Sequence, residues 1–213
     1  MTRVLALVEG ETERLFVERV LAPHLLNRGV YLGKPVVVWT KRSAAGGGFR
    51  GGGRSYSKIR DSLEPLLKDS TAYVTTIFDF YGLPDDFPGR AGAEKWSIET
   101  AESAFAGQFS HPHFIPFLAL HEIEAWLFAA PDEVAAHFSK PDMAARMRNM
   151  GAPEEINHGP DTHPKARVKN LEPGYGEIRD GATLLQKIGL EPIRAACPHF
   201  RAWLEKLEGL ASA

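Results

Sequence analysis

The chain has 213 residues, of which 44% are hydrophobic and 24% are charged, and its formal net charge is −2. This balance is typical of a soluble globular protein with one good core, and the length does not require two domains. A slightly acidic chain has no global attraction for nucleic acid, so any such binding must depend on a local basic patch. We expect a single domain over residues 1–213, with an α/β core at 1–130 and a helical extension at 131–213.

Cys197 is the only cysteine of the chain, which excludes an internal disulfide and favours a reducing compartment. The sequence begins without the layout of a signal peptide. No apolar run approaches the roughly 20 residues that a membrane span needs. These features predict a cytoplasmic protein that does not cross a membrane, and Cys197 is interpreted as structural.

The first predicted element is a strand over residues 4–8, a short apolar run that ends at Glu9-Gly10. A helical pattern follows, with Thr12 as its expected N-cap and Gly29 as its glycine stop. Glu9 is therefore expected at the carboxyl end of the strand, on the edge where open α/β sheets place their sites.

Three glutamates, Glu9, Glu11 and Glu13, fall within five residues at this edge. Their mutual repulsion is costly unless a charge offsets it, and a divalent cation is the simplest candidate. Alternatively, Glu11 and Glu13 are solvated residues of the first helical turn, where the helix dipole favours acids. This alternative applies best to Glu11 and least to Glu9.

Residues 30–32 and 36–40 are predicted as strands, and a glycine-rich basic stretch follows over residues 41–55. It holds six glycines and four basic residues, including Arg50 and Arg54. Glycine loses too much backbone entropy for regular structure there, so the stretch is interpreted as a loop. Its amides and cations suit phosphate contact, and the alternative is a solvated linker. The nucleotide-binding signature Gly-Lys-Ser/Thr is missing, so an ATPase is not predicted.

Residues 56–68 are predicted as an amphipathic helix, and residues 72–79 as a second apolar strand that ends in Asp79. The layout repeats that of Glu9, because a carboxylate again follows an apolar strand. The two acids would meet if the strands are neighbours. The alternative role for Asp79 is to cap a turn.

A helix is predicted over residues 93–109, followed by a third strand at 114–120, where Pro116 indicates an edge strand or a bulge. This strand leads into Glu122 and Glu124. His121 and Glu122 could begin a zinc-protease motif, but Ala125 stands where its second histidine would be, so zinc hydrolysis is not expected. In an extended chain the two glutamates would share a face, and in a helix they would diverge by about 200°.

The remainder, from Pro131 onward, is predicted to be mostly helical. Lys165 and Arg167 follow a helix-breaking proline. They are candidates for phosphate contact, with surface ion pairs as the alternative. The last helix has aromatic and aliphatic residues spaced for core contact.

Carboxylates thus follow three predicted strands, and oxygen ligands in this number favour Mg²⁺ or Mn²⁺ over zinc. Magnesium chemistry in proteins is mostly phosphate chemistry. The expected metal ligands are Glu9, Glu13, Asp79, Glu122 and Glu124.

Four segments carry a resemblance to a known family: Val-Glu-Gly-Glu-Thr-Glu, Gly-Gly-Gly-Arg-Ser-Tyr, Phe-Asp-Phe-Tyr-Gly-Leu-Pro and Leu-His-Glu-Ile-Glu-Ala-Trp-Leu-Phe. The chain resembles the uncharacterised bacterial domain-of-unknown-function family 4276, which is grouped with Toprim proteins and is related to OLD-type nucleases. The resemblance covers nearly the whole chain. It implies a Toprim-like, Rossmann-like α/β fold with a mostly parallel sheet flanked by helices. It also implies that Glu9 is the Toprim glutamate and Asp79 the first acid of an Asp-x-Asp motif.

The sequence departs from that motif at Tyr81, which stands where the second acid is expected. Glu122 or Glu124 would then complete the metal site, with Asp85 as a further choice. The leading hypothesis is a Mg²⁺- or Mn²⁺-dependent nuclease with Glu9, Asp79 and Lys165 as catalytic residues. Arg50, Arg54, Lys165 and Arg167 would bind the nucleic acid.

Two other functions remain open from the sequence. One is a non-catalytic, degenerate Toprim subunit that binds a partner ATPase or a nucleotide, a reading that the Tyr81 departure motivates. The resemblance also implies that the nuclease of the leading hypothesis acts beside a partner ATPase in phage defence. The other is a phosphotransferase or primase-like activity on the same metal platform.

Overall fold

A sheet of parallel strands forms the centre of the α/β part. We describe the protein from a computed structural model, which describes residues 1–38, 55–90, 96–156 and 159–212. The strands are β1 (Thr2–Val8), β2 (Val30–Leu32), β3 (Val36–Val37), β4 (Tyr73–Asp79), β5 (Phe114–Ile115) and β6 (Leu118–Ala119).

Helices cover both faces of this sheet and make up the C-terminal part. The α-helices are α1 (Glu11–Phe16), α2 (Ala22–Leu26), α3 (Tyr56–Leu67), α4 (Ile98–Ala106), α5 (Pro131–His137), α6 (Pro141–Arg148), α7 (Pro164–Leu171), α8 (Ala182–Ile188), α9 (Leu190–Ala196) and α10 (Pro198–Gly209). Turns of 3₁₀ helix span Ile123–Ala129, Pro153–Glu155 and Leu210–Ser212, and π-turns span Val17–Leu21 and Glu177–Gly181. No helix among the described residues is both apolar enough and long enough to cross a bilayer.

The described strands run in the order β2-β1-β4-β5, with β3 also paired to β1 and β6 to β4, and every pairing is parallel. The predicted α/β fold with a parallel sheet flanked by helices is therefore confirmed. Because β1 and β4 are neighbours, their carboxyl ends meet at one edge of the sheet. Val8 lies opposite Ile77 in this pairing.

Alternate residues of β1 face two different hydrophobic clusters. Val4, Ala6 and Val8 pack with the C-terminal helices, whereas Leu7 packs with Ile59 and other residues of α3 and α4. A strand buried on both faces has the continuous apolar run that identified β1 in the sequence.

The C-terminal helices share the larger of these clusters with the sheet. Trp203 of α10 stacks on Phe117 with ring centroids 4.3 Å apart, and its indole N–H donates to the Thr75 hydroxyl at 2.9 Å. Cys197 is fully buried beside them. Burial raises the pKa of its thiol, which agrees with a structural role.

The first helix begins differently from the prediction. Its N-cap is Gly10 rather than Thr12, which is buried in the first turn. Pro23 lies in the first turn of α2, which continues to Leu26 directly after a π-turn in which the Ala22 N–H donates to a carbonyl five residues earlier. Gly29 has φ +79°, a conformation that favours glycine, so the predicted glycine stop is confirmed.

Pro116 interrupts the third predicted strand, which is split into β5 and β6 at the edge of the sheet. Threonine hydroxyls of β4 take the place of the missing ladder bonds. Thr75 donates to the carbonyl of Ile115 at 2.7 Å, and Thr76 bonds both the amide and the carbonyl of Phe117 at 3.0 Å. The predicted position at the sheet edge is confirmed, but the single strand predicted over residues 114–120 is two short strands.

The helix predicted over residues 93–109 is shorter, because α4 starts at Ile98 behind a capping box formed by Ser97 and Thr100. A side chain that bonds the free first-turn amides fixes the start of a helix more strongly than an apolar pattern does. Residues 91–95 lie outside the described ranges.

Candidate functional site

Glu9 and Asp79 meet at the carboxyl ends of neighbouring strands, as the strand pattern predicts. The Glu9 amide donates to the carbonyl of Ile77 at 3.1 Å and so extends the ladder by one residue. The Asp79 amide then donates to Oε2 of Glu9 at 3.0 Å. The end of β4 is thereby tied to the side chain that follows β1.

The Asp79 carboxylate is held in a tight turn. Its Oδ1 accepts the amide N–H of Tyr81 at 2.9 Å, so the turn-capping role is present together with the position at the strand end. A Cβ on Gly82 would lie 3.2 Å from Oδ2 of Asp79, which shows how closely the backbone approaches the acid. Burial, followed by the charges of Glu9 and Glu122, raises the pKa of Asp79 to about 8.

Glu13 approaches the same strand ends from α1. A Cβ on Gly10 would lie 3.1 Å from its Oε2. Burial and the neighbouring Glu9 raise the pKa of Glu13 to about 7. Glu11 instead pairs with Arg14, a hydrogen bond that lowers the pKa of Glu11. It is the exposed first-turn residue that the alternative interpretation describes.

Glu122 lies at the start of the 3₁₀ segment Ile123–Ala129, where basic groups surround it. His163 Nδ1 is 2.7 Å from its Oε2, the Lys165 amide donates to the same oxygen at 3.0 Å, and Lys165 Nζ lies 3.4 Å from its Oε1. Burial opposes ionisation of Glu122, but Lys165 and His163 outweigh it and hold its pKa below the usual range.

Glu124 is buried in the first turn of this 3₁₀ segment. The Tyr175 hydroxyl donates to its Oε1 at 3.2 Å. Gly181 makes room for that hydroxyl, because a Cβ there would lie 2.5 Å from it. Burial raises the pKa of Glu124 to about 7, although Lys165 acts in the opposite direction.

Lys165 joins these acids. Its Nζ lies 3.4 Å from Oε1 of Glu122 and 3.4 Å from Oε2 of Glu177. Burial lowers the pKa of this ammonium group, but Glu124, Glu122 and Glu177 more than compensate, and the net shift is upward. Lys165 is therefore protonated at neutral pH and partly neutralises three carboxylates.

The acids described above and Lys165 line one cleft of about 270 Å³. Its lining residues are Glu9, Gly10, Glu11, Thr12, Glu13, Asp79, Glu122, Ile123, Glu124, Lys165, Glu177 and Ile178. Within the described part of the chain, seven carboxylates and one lysine thus face a common space. The five expected metal ligands, Glu9, Glu13, Asp79, Glu122 and Glu124, all line this space.

The cleft supplies oxygen donors suited to a hard cation. Among residues 1–38, 55–90, 96–156 and 159–212, no three histidine, cysteine or acidic side chains already form a group that would hold a metal ion. Magnesium commonly needs only one or two carboxylates, because water and substrate phosphates complete its shell. Glu9 and Asp79 fit that requirement.

Two other described sequence candidates do not line the cleft. Arg167 donates from Nε to the Thr162 carbonyl at 2.6 Å and does not line the cleft, and its contact with phosphate stays a prediction. The Asp85 side chain is 99% exposed and pairs with Arg90 at 3.3 Å. It does not complete the site either. Arg50 and Arg54 lie outside the described residues.

Tyr81, at the position of the missing second acid, stacks on His121 with ring centroids 5.2 Å apart and an interplanar angle of 17°. It also contacts Phe80 edge to face. An aromatic contact thus stands beside Asp79, where the resemblance to Toprim proteins implied a second acid.

Sequence reasoning missed Glu177, Tyr175 and His163. Glu177 and Tyr175 lie in or just before a π-turn, which produces no apolar periodicity. His163 precedes the proline that starts α7, and a histidine next to a helix start was the one available signal.

Comparisons with known proteins support the family and give one structural likeness. A family model described as "Domain of unknown function (DUF4276)" matches residues 8–208. None of the curated proteins matches the chain. Among solved structures, the chain is similar to the C-terminal region of the Xanthomonas campestris pv. campestris OLD protein phased with mercury, at 14% identity and a TM-score of 0.44, covering 100% of this chain and 97% of that one. The same region phased with iodine gives 16% identity, a TM-score of 0.34 and 97% coverage of both chains.

Proposed function

The chain belongs to the family described as Domain of unknown function (DUF4276), and from that premise we propose that its acidic cleft binds Mg²⁺ or Mn²⁺ and hydrolyses phosphodiester bonds of nucleic acid. The observation that carries the proposal is the meeting of Glu9 and Asp79 at the ends of two neighbouring parallel strands. Asp79 caps its turn and Glu9 accepts the Asp79 amide, but uncharged amide side chains could accept the same bonds, and the repulsion between two acids is unfavourable.

The electrostatics of the cleft support a cation. The pKa values of Asp79, Glu13 and Glu124 are raised to about 8, 7 and 7, with burial as the largest cause in each case. Groups of this kind gain from a positive charge placed among them. A bound divalent cation supplies charge neutralisation at a phosphoryl oxygen and acidifies its bound water.

The residues of the chain would then take separate tasks. Glu9 and Asp79 hold the cation, and Glu13 reaches the same space from α1. Lys165 keeps Glu122 oriented and provides positive charge for the scissile phosphate. A cation held in this position accelerates a reaction by stabilising the charge that develops in the transition state. Glu124, fixed by Tyr175, is a further oxygen donor.

Titration calorimetry with Mn²⁺ and Mg²⁺ tests the metal site. We expect the wild-type protein to bind, and we expect Glu9→Gln and Asp79→Asn to lose binding while their circular dichroism is unchanged. Asp85→Asn is the matched control, because its acid is exposed and outside the cleft. Binding that survives in both cleft variants would contradict the assignment.

Hydrolysis is tested on labelled single-stranded and duplex DNA and RNA with the same proteins. Cleavage by the wild type and by Asp85→Asn, but not by Asp79→Asn, is the expected pattern. Cleavage that persists in Asp79→Asn would identify a contaminating nuclease or another site.

A second candidate is a non-catalytic subunit that binds a partner ATPase. It is favoured by Tyr81, which stands in place of an acid, and by Lys165, whose charge two carboxylates already engage. This function predicts that wild type and Asp79→Asn co-purify equally well with an ATPase and that neither cleaves nucleic acid.

A further inference from the structure

One exposed apolar side chain lines the acidic cleft, and a second follows one of its acids in the chain. Ile178 lines the cleft and is 56% exposed. Tyr81 follows Asp79 by two residues, donates its amide N–H to that acid and is 44% exposed. Large apolar groups in contact with water beside a polar site are candidates for ligand contact.

The ring of Tyr81 is held in a fixed orientation. It is stacked nearly parallel on His121 and meets Phe80 at an interplanar angle of 72°. His121 itself is buried. A tyrosine held in this way loses little further side-chain freedom when another flat group stacks on it.

The charges of the cleft limit how a nucleic acid can bind there. Its described lining carries seven carboxylates and only Lys165 as a cation, and that lysine is ion-paired to Glu122 and Glu177. Such a lining repels the phosphate backbone, whereas many nucleic-acid-binding proteins obtain most of their affinity from cations. Apart from Lys165 and the metal ion of the proposed function, the described lining offers no positive charge, so contacts to the bases would add affinity next to the acids.

We propose that Tyr81 is a stacking platform for an unpaired nucleobase next to the scissile phosphate, which makes single-stranded nucleic acid the preferred substrate class. The inference rests on the proposed function and specifies its substrate. Stacking suits this position because every base has a π-face and offers it only when it is not already stacked in a duplex. DNA and RNA share this chemistry, so both are tested.

Fluorescence anisotropy measures the affinity. The probes are oligothymidylate, oligouridylate and an abasic oligomer of the same length, with Ca²⁺ replacing Mg²⁺ and a gel confirming that the strands stay intact. The proteins are wild type, Tyr81→Ala and Tyr81→Phe. Tyr31→Ala is the matched control, since Tyr31 is 48% exposed on β2 and lies opposite Arg3, at the end of β1 away from the acids.

We expect Tyr81→Ala to weaken binding of a base-containing strand by about 5- to 100-fold, the equivalent of one lost base stack. It should leave binding of the abasic strand unchanged. Tyr81→Phe should keep wild-type affinity, and Tyr31→Ala should have no effect. If Tyr81→Ala does not fold, Tyr81→Leu replaces it, because leucine keeps a contact with His121 but has no aromatic face.

Three results would overturn the proposal: an equal loss on abasic and base-containing strands, a loss in Tyr81→Phe as large as in Tyr81→Ala, or a wild type that does not prefer bases over abasic sites, including one that binds neither. Base-dependent binding through Tyr81 without any hydrolysis would contradict the proposed nuclease function and support the stacking role of Tyr81. Metal-dependent hydrolysis that does not change in the Tyr81 variants would support the nuclease function and contradict the stacking role.

Discussion

Asp79→Asn is expected to stabilise the metal-free protein at alkaline pH. Asparagine keeps the oxygen that accepts the Tyr81 amide but removes a charge that faces Glu9 and Glu122. The structural turn is therefore preserved while the electrostatic repulsion is removed. The variant separates the two roles of Asp79, as a turn cap and as an acid.

The sign and size of this effect on stability follow from the pKa of Asp79. In the folded protein the pKa of Asp79 is raised from 3.8 to about 8, so the folded state retains a proton that the unfolded chain has lost. Stability therefore falls as pH rises between these two values, and the fall ends above the folded pKa. From about pH 5.5 to about pH 8.5 the loss is on the order of 3 kcal/mol. Asparagine does not ionise, so the variant lacks this loss.

Urea unfolding in EDTA at these two pH values measures the effect. The free energy of unfolding of the variant minus that of the wild type should increase by about 3 kcal/mol from the acidic to the alkaline condition. The difference between variant and wild type is used because Glu13 and Glu124 titrate in both proteins. A difference that is the same at both pH values would refute the reasoning that Asp79 is ionised against its neighbours.

Three further changes test other contacts of the molecule. Gly181→Ala would place a Cβ 2.5 Å from the Tyr175 hydroxyl, so urea unfolding should show a loss of about 1–3 kcal/mol, and an unchanged midpoint would contradict the close approach. Trp203→Phe removes the N–H that donates to Thr75 at 2.9 Å and should cost about 1 kcal/mol in the same assay; no loss would mean that the bond contributes nothing. Glu122→Gln removes an acid whose pKa is held below 4.5 despite burial, chiefly by Lys165. The stabilisation that ionised Glu122 provides is present above pH 4.5 and is lost as pH falls through its folded pKa. Thermal unfolding should therefore show Glu122→Gln to be less stable than wild type at neutral pH and equally stable in acid.

The acids at the strand ends could be predicted because their signal is local. An apolar run followed by an acid places Glu9 and Asp79 at strand termini, and parallel strands end on one edge. What the sequence does not contain is the order of the strands. The pairing of β1 with β4 is what turns two separate motifs into one site.

The other side of the cleft depends on tertiary contacts between distant irregular segments. Glu177 reaches it from a π-turn that Tyr175 precedes, and the Tyr175 hydroxyl fits only because residue 181 is a glycine. No periodic pattern marks such a turn. Arg167 is close in sequence to Lys165, yet its Nε donates to a local carbonyl and it does not line the cleft, a difference that position in the sequence does not indicate.

The bond between the Asp79 amide and the Glu9 carboxylate has a consequence for how this site is inherited. In a continuing parallel ladder that amide would donate to the main-chain carbonyl of residue 9; here it donates to the side chain of the same residue, at 3.0 Å. The spacing of the two acids is therefore set by strand spacing and not by free rotamer choice. Relatives that exchange loops and helices but keep the register of β1 and β4 should keep the spacing, and a graft of these two strands would carry the pair of acids with it.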